Sequence, residues 1–322
     1  MKAIKYEKYG PPDVLELKDV DKPIPKDNEV LVKIHAASVN PLDWHFLRGT
    51  PRMMRLVAGF ATPNKKILGA DLAGRVEAVG KNVKQFQPGD EVFGGISLGA
   101  FAEYVCVSED AAIVKKPVNT TFEEAAAIPV AALTALQGVR DYGKVQHGQR
   151  VLINGASGGV GTFAVQIAKS FGATVTGVCS TRNLEMVKSI GADQVIDYAQ
   201  EDFAQHEQGF DLIIDNVGNR SVSDYSRALR TKGNCVIIGY TSPALLLQHM
   251  FLGPLNSMKG TKKIALMGTA KPNKGDLIFI KELVESGKVR PVIDKCYPLR
   301  ETAEAIRYLE KGHARGKVTI TI

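Results

Sequence analysis

Residues 150–161 read Arg-Val-Leu-Ile-Asn-Gly-Ala-Ser-Gly-Gly-Val-Gly, and their types and spacing point to anion binding. Val151–Ile153 has the apolar, β-branched character of a buried strand. Beyond the glycines, Val160, Phe163, Ala164, Ile167, Ala168 and Phe171 recur at helical spacing on one face. A strand, a glycine turn and a helix N-terminus together point backbone N–H groups at an anion and let it approach closely. The dinucleotide pattern G-x-G-x-x-G is met from Ala156 to Gly161, with Ala156 in the first glycine slot. Ser157, Gly158, Gly159, Val160 and Gly161 are therefore candidates to hold a pyrophosphate.

The next strand, Thr174–Val178, bears on which dinucleotide is bound. An NAD site places Asp or Glu about twenty residues beyond the glycines, on the ribose 2′-hydroxyl. Here that place reads Cys179-Ser180-Thr181-Arg182, and no acid follows until Glu185. A hydroxyl at Ser180 and a guanidinium at Arg182 suit a 2′-phosphate, which Arg binds through charge-assisted hydrogen bonds. The expected cofactor is NADPH; the alternative for Arg182 is a solvated residue in a loop between strand and helix. Asn216-Val217-Gly218 follows a later candidate strand, at the carboxyl edge where ligands bind in open α/β sheets.

The elements that must position these residues fall into two textures. Residues 1–120 carry short β-branched or alternating runs at Met1–Tyr6, Val30–Ser38, Gly74–Val79, Glu91–Phe93 and Tyr104–Val107, bounded by Gly and Pro turns. This predicts a partly open β-barrel. An alanine-rich helix is expected over Thr121–Tyr142, with Thr121 as N-cap. Strands then alternate with helices to about residue 267: Val151–Ile153, Thr174–Val178, Gln194–Asp197, Asp211–Ile214, Cys235–Ile238 and Ile264–Met267. That order predicts an α/β, doubly wound parallel Rossmann sheet over 121–267. Residues 268–322, with helices near Gly275–Ser286 and Glu301–Lys311 and a strand at Lys317–Ile322, are expected to complete the first domain.

Composition narrows the function classes. The 322 residues suit two domains, and no apolar run reaches the roughly eighteen residues of a membrane helix. No hydrophobic signal core opens the sequence, so a cytoplasmic location is the default expectation. The net charge of +7 gathers around Lys259, Lys262, Lys263, Lys271 and Lys274, without base-stacking or groove-reading motifs, which favours a solvated face over nucleic-acid binding. Cys106, Cys179, Cys235 and Cys296 are too scattered for a metal or disulfide framework and are expected to be buried free thiols.

Several segments resemble the medium-chain dehydrogenase/reductase superfamily, in its zinc-free quinone-oxidoreductase branch. Gly69-Ala70-Asp71-Leu72-Ala73-Gly74, Pro88-Gly89-Asp90-Glu91-Val92, the Ala-Ser-Gly-Gly-Val-Gly cradle, Ile190-Gly191-Ala192-Asp193 and Gly316-Lys317-Val318 carry the likeness nearly end to end. Ser38–Trp44, Arg182–Glu185 and Gly312-His313-Ala314 are similar in texture to the chloroplast-envelope homologues. The resemblance implies a GroES-like first domain, a homodimer and no catalytic zinc. Ala70 stands where zinc alcohol dehydrogenases carry a ligating His, and no Cys occurs near Ser38–Asn40. Without that Lewis acid, the expected acceptors are quinones and the C=C bonds of α,β-unsaturated carbonyls, which delocalise the incoming charge.

The same resemblance brings forward further residues. Tyr198 matches a tyrosine near the adenosine phosphate, or else covers a strand end. Thr134 and Lys317 match positions near the nicotinamide, with helix packing and a solvated strand flank as alternatives. Asn40 matches an asparagine near the nicotinamide, whose amide could donate to an acceptor carbonyl; it is also an Asn-Pro turn starter. Asp43 is a loop brace, a water-positioning group or a buried structural carboxylate. His45 is a candidate proton donor to an enolate, or an ordinary loop histidine. A metal-free carbonyl reductase and an NADPH-binding protein without turnover are the competing functions. Finally, Met53, Leu56, Val57 and Phe60 lie at helical offset, which suggests a short amphipathic helix; the resemblance puts it beside the substrate mouth as a lid over an apolar pocket, and the alternative is a surface helix packed on the barrel.

Overall fold

The computed structural model describes all residues except 51–54, 206–208 and 260–261. The chain divides into two units: Met1–Val130 with Pro272–Glu285 and Pro291–Ile322, and Ala131–Lys271 with Ser286–Arg290.

The first unit is built on a long strand, Glu29–Val39, in a seven-stranded sheet ordered Ile293–Pro298, Lys317–Thr321, Glu29–Val39, Asp71–Val79, Glu91–Gly95 and Ile113–Lys115, with Tyr104–Ser108 pairing off this path. One edge of the long strand serves two neighbours. Residues 29–33 pair with Tyr104–Ser108, and residues 36–39 pair with Lys317–Thr321. Register shifts between Leu31 and Val32 and between Ile34 and Ala36 interrupt its pairing with Asp71–Val79. Bulges of this kind bend a strand and raise its twist, which is how a sheet curls toward a barrel. Ile34, Leu68, Leu72, Phe101 and Ile113 fill the interior.

The second unit holds a six-stranded parallel sheet. Its spatial order is Gln194–Asp197, Thr174–Cys179, Arg150–Asn154, Phe210–Asp215, Leu229–Ile237 and Lys263–Leu266. In order along the chain this is 3-2-1-4-5-6, the doubly wound arrangement. The six strands lie where the apolar runs place them.

Two boundaries differ from the sequence reading. The first unit runs to Val130 rather than to residue 120, because the helix Phe122–Ala126 packs on Glu29–Val39 and Asp71–Val79. The chain rejoins it at Pro272 rather than at residue 268, and Ser286–Arg290 returns to the second unit. There Gln166 exchanges two hydrogen bonds with the backbone of Arg290, both 2.9 Å. The single helix expected over Thr121–Tyr142 is instead three segments: Phe122–Ala126, Pro129–Leu136 and a π-helical turn at Gln137–Tyr142. Thr121 does cap the first, accepting from the Glu124 N–H at 3.2 Å. Pro129 has no N–H to continue that helix and starts the next one. Of the cysteines, Cys179 and Cys235 are buried, Cys106 is half-buried, and Cys296 is exposed, contrary to expectation, because Ile293–Pro298 is the outer strand of its sheet.

Candidate functional site

In the second unit the glycine turn leaves the end of Arg150–Asn154 and enters the helix Gly159–Ser170, with Gly158 as N-cap. The first carbonyl bond of this helix is Thr162 N–H to Gly158 O at 2.9 Å. The N–H groups of Gly159, Val160 and Gly161 precede it and have no acceptor within the helix. A Cβ on Gly161 would lie 2.0 Å from Gly155 O, so only glycine lets the helix start this close to the strand. A Cβ on Gly158 would meet nothing nearer than 3.5 Å, leaving open space at the mouth of the turn. Three free amides around that space fit a pyrophosphate.

Beside the turn, Asn216-Val217 follows Phe210–Asp215 on the far side of Arg150–Asn154, at the switch point of the sheet. The Asp215 carboxylate holds this loop from below, accepting from the Val217 and Gly218 N–H groups at 2.7 Å and from Asn154 Nδ2 at 3.0 Å. Asn216 Nδ2 donates to Asn154 O at 3.0 Å, and its buried Oδ1 has no partner among the described residues. On the other side, Ser180 and exposed Arg182 sit just past Thr174–Cys179. Tyr198 is 59% exposed at the end of the neighbouring strand, its N–H donating to Cys179 O at 3.1 Å. Thr134 is half-buried on Pro129–Leu136.

Two residues near this loop escaped the sequence reading. Asn183 Nδ2 donates to both Ser157 Oγ and Ser180 Oγ, at 3.0 and 3.1 Å. Asp197, at the end of Gln194–Asp197, brings an acid to the loop from an adjacent strand. Its Oδ2 accepts the Thr181 hydroxyl at 2.5 Å and its Oδ1 accepts the Ala199 N–H at 3.0 Å. The Thr181 bond is the main reason its carboxyl is held below the usual value.

The first unit gathers a buried polar network at three strand ends. The pairings Ser38 with Asp71 and Val39 with Val318 bring Ser38, Asn40, Asp71 and Lys317 together. Lys317 Nζ donates to Asn40 Oδ1 at 2.6 Å and lies 3.5 Å from Asp71 Oδ2. Asp71 Oδ2 accepts from Ser38 Oγ at 2.7 Å and Asn40 Nδ2 at 2.8 Å, and its Oδ1 accepts from the Val130 N–H at 2.9 Å. Asn40 is 2% exposed, and its amide is committed on both sides. Donating to an acceptor carbonyl, as the sequence suggests, would require it to release Asp71.

Asn40 also caps the helix Pro41–Arg48, whose third residue is Asp43. The fully buried Asp43 carboxylate accepts from the Asn40 N–H at 2.7 Å and the Gly69 N–H at 2.9 Å. It is therefore a brace tying two loops together. His45 stacks on Trp44 at 3.7 Å, and its Nδ1–H donates to Thr50 O at 2.8 Å. Since a carbonyl only accepts, Nδ1 carries the proton, and Nε2 of a neutral ring has none to give. Of the suggested lid, Met53 lies outside the described residues, as does Met54. Among the described residues the helix there spans Arg55–Ala58, with Leu56 75% and Phe60 81% exposed.

Burial pushes the Asp43 carboxyl up to about 7, against the lowering effect of its two N–H donors. Asp71, Lys317 and Tyr6 are the charged or titratable groups coupled to it. As pH rises from about 4 to about 7, the unfolded chain gives up this proton while the folded chain keeps it. The folded state then binds more protons than the unfolded state, so stability falls across that window. Urea denaturation from pH 4 to pH 8 should show this slope in the wild type, and Asp43→Asn should flatten it. An unchanged slope in the variant would assign the titration elsewhere.

Comparison with known proteins agrees with this arrangement. Residues 26–118 match the family described as alcohol dehydrogenase GroES-like domain, and residues 190–320 match that described as zinc-binding dehydrogenase. Mouse mitochondrial NAD(P)H oxidoreductase RTN4IP1 is 36% identical over 100% of this chain and 89% of its own length. Tomato 2-methylene-furan-3-one reductase is 35% identical over 99% of this chain and 79% of its own. The structure of the Coxiella burnetii quinone oxidoreductase superposes with a TM-score of 0.86 at 32% identity, covering 100% of this chain and 99% of that one. The zinc in one family description does not fit the residues here. Ala70 offers a methyl group, and Asp71 is already satisfied by Lys317, Ser38 and Asn40. No group of three His, Cys, Asp or Glu side chains able to hold a metal occurs among the described residues. No described helix is long and apolar enough to cross a membrane.

Proposed function

We propose that this chain, which belongs to the medium-chain dehydrogenase/reductase superfamily with quinone oxidoreductases among its relatives and is an NAD(P)H oxidoreductase, uses NADPH to reduce a quinone or the C=C bond of an α,β-unsaturated carbonyl, without zinc. The observation that carries the reading is the glycine cradle at the sheet's switch point, with three free amides and the exposed Ser180–Arg182 loop beside it. Bound NADPH supplies a hydride equivalent. The Gly159, Val160 and Gly161 N–H groups hold its pyrophosphate, Arg182 and Ser180 its 2′-phosphate, and Tyr198 lies near the adenosine. Asn216 offers a buried oxygen, unpartnered among the described residues, beside the turn, where the nicotinamide half would extend.

Asn40, Asp43 and Lys317 act in this reading as a fixed frame for the start of the helix that Asn40 caps. Water supplies the proton that follows the hydride in this reading, because the Nδ1–H of His45 is committed to Thr50 O. The acceptor classes are those in the names of two relatives, a quinone oxidoreductase and a reductase of 2-methylene-furan-3-one, itself an α,β-unsaturated ketone.

NADPH oxidation against a panel of quinones and enones, with and without a chelator, tests the reaction. Turnover of neither class, or its loss to chelation, would overturn it. Arg182→Ala tests the cofactor. Losing one charge-assisted phosphate contact costs about 1.5–3 kcal/mol, or roughly ten- to hundredfold in Kd for NADPH. NADH binding should hardly change, and an equal loss for both would refute the 2′-phosphate assignment. Asp197 favours a second reading, an NADH enzyme, if its carboxylate turns from Thr181 to a ribose hydroxyl. Tighter binding of NADH than NADPH would select that reading.

A further inference from the structure

Asn183 touches both loops of the candidate cofactor site. Its Nδ2 donates to Ser157 Oγ in the glycine turn and to Ser180 Oγ after the second strand, at 3.0 and 3.1 Å. Its backbone N–H donates to Ser180 O at 2.8 Å, closing the 3-10 turn Thr181–Asn183. Asn183 is 4% exposed, whereas both serines are half-open to solvent. Its buried Oδ1 has no partner among the described residues, so the two serines alone fix the amide. Burying an unmet acceptor is unfavourable, and such groups concentrate where function requires a particular geometry.

A hydroxyl carries one proton and can also accept. When its oxygen takes an N–H from an amide, its own proton remains for another acceptor. Among the described residues, neither serine hydroxyl has a second hydrogen-bond partner. Two uncommitted O–H donors thus stand at the rim of a turn whose amides already favour an anion. Phosphate oxygens, which only accept, are the groups that such donors take.

We infer that Asn183 is a positioning residue for the dinucleotide: its amide holds Ser157 and Ser180 as donors, Ser157 to the pyrophosphate and Ser180 to the 2′-phosphate. This rests on the NADPH reading of the site. Asn183 also ties the two loops at a fixed spacing, so that one side chain sets the distance between the two phosphate positions.

Asn183→Asp keeps the size and replaces the donor by an acceptor, which draws both serine protons inward. Asn183→Leu removes the donor without adding charge. Dissociation constants of the full chain for NADH and NADPH, with unliganded melting temperatures, are measured in wild-type, Ser157→Ala and Ser180→Ala backgrounds. NADH reports the Ser157 arm, and the ratio of the two cofactors reports the Ser180 arm. Asn183→Asp should weaken NADH by about tenfold and NADPH by several-fold more, the size of lost charge-assisted bonds. Asn183→Leu should do the same to a smaller degree. In Ser157→Ala the NADH loss should disappear, and in Ser180→Ala the extra NADPH loss should disappear, because coupling vanishes once a partner is gone.

Losses that persist undiminished in both serine backgrounds would overturn the inference, as would wild-type affinities in both Asn183 variants. A general structural defect lowers the melting temperature and both affinities regardless of background, and this too would refute it. Equal binding of NADH and NADPH by the wild type refutes the 2′-phosphate assignment alone, and the NADH cycle with Ser157 still decides the role of Asn183. Binding of neither cofactor overturns both.

Discussion

Asp71→Ala should destabilise the first unit by about 3–5 kcal/mol, because it strips the buried Lys317 charge of the carboxylate 3.5 Å from it. For a unit of this size that corresponds to a fall in Tm of roughly 6–20 °C. Lys317 has a side-chain exposure of 4% and Asp71 of 0%, so water cannot take over the solvation. The Ser38 hydroxyl, the Asn40 amide and the Val130 N–H lose their acceptor at the same time. Burial already lowers the Lys317 value, with Asp71 the first of the groups opposing the shift. In the variant Lys317 should give up its proton more readily still, so the defect should shrink as pH is raised toward the ordinary lysine value. The second substitution Lys317→Met removes the stranded charge and should restore about 1–4 kcal/mol. Guanidinium denaturation of the single and double variants decides the matter: a double variant no more stable than Asp71→Ala would show that the ammonium is not the source of the cost.

Gly158→Ala and Gly161→Ala should fail in opposite ways, although both remove a glycine from the same turn. A Cβ at Gly161 collides with Gly155 O at 2.0 Å and with the Ala156 backbone at 2.9 Å, atoms that cannot swing aside. Forcing it in should cost the second unit about 1–3 kcal/mol or more and impair cofactor binding through the displaced helix. At Gly158 the new methyl meets only Gly155 O, at an ordinary 3.5 Å, with φ at −82°, a value any residue adopts. The fold should tolerate it within about 0.5 kcal/mol. The methyl occupies the space the pyrophosphate needs, however, and losing one or more charge-assisted bonds should weaken both NADH and NADPH by roughly ten- to hundredfold. Melting temperature and cofactor titration, measured together, separate the two outcomes. Gly158→Ala with normal affinity would mean that the dinucleotide lies elsewhere.

The glycine turn was legible in the sequence because everything that makes it is local. The strand, turn and helix period lie within residues 150–171, and the parallel sheet follows from repeating that unit. The first unit's network was not, because its members come from distant segments. Lys317 and Asn40 are 277 residues apart, and Asn40 and Asp71 are 31 apart. Only strand register brings them into contact, and register is set by bulges and pairings that periodicity does not encode. Asp71 was visible as part of a glycine-rich segment, but not as the acceptor for three side chains and a backbone amide. Asp197 was missed for a similar reason. The expected place for an acid is the end of Thr174–Val178, whereas the sheet delivers one from the neighbouring strand. The expected helix Thr121–Tyr142 failed at Pro129, where a helix-forming composition outweighed a residue that cannot donate.

The pairing of Lys317–Thr321 with the strand that ends at Val39 also orders events in time. During synthesis the residues 131–271, with their own sheet and core, leave the ribosome before Lys317 has been made. The second unit can therefore close while the first still lacks both its partner strand and the ammonium that neutralises Asp71. Until then Asn40 and Asp71 remain solvated at an open sheet edge. The strand Glu29–Val39 thus completes its pairing long after it is made, and the aggregation-prone interval for the nascent chain lasts at least until Lys317–Thr321 emerges.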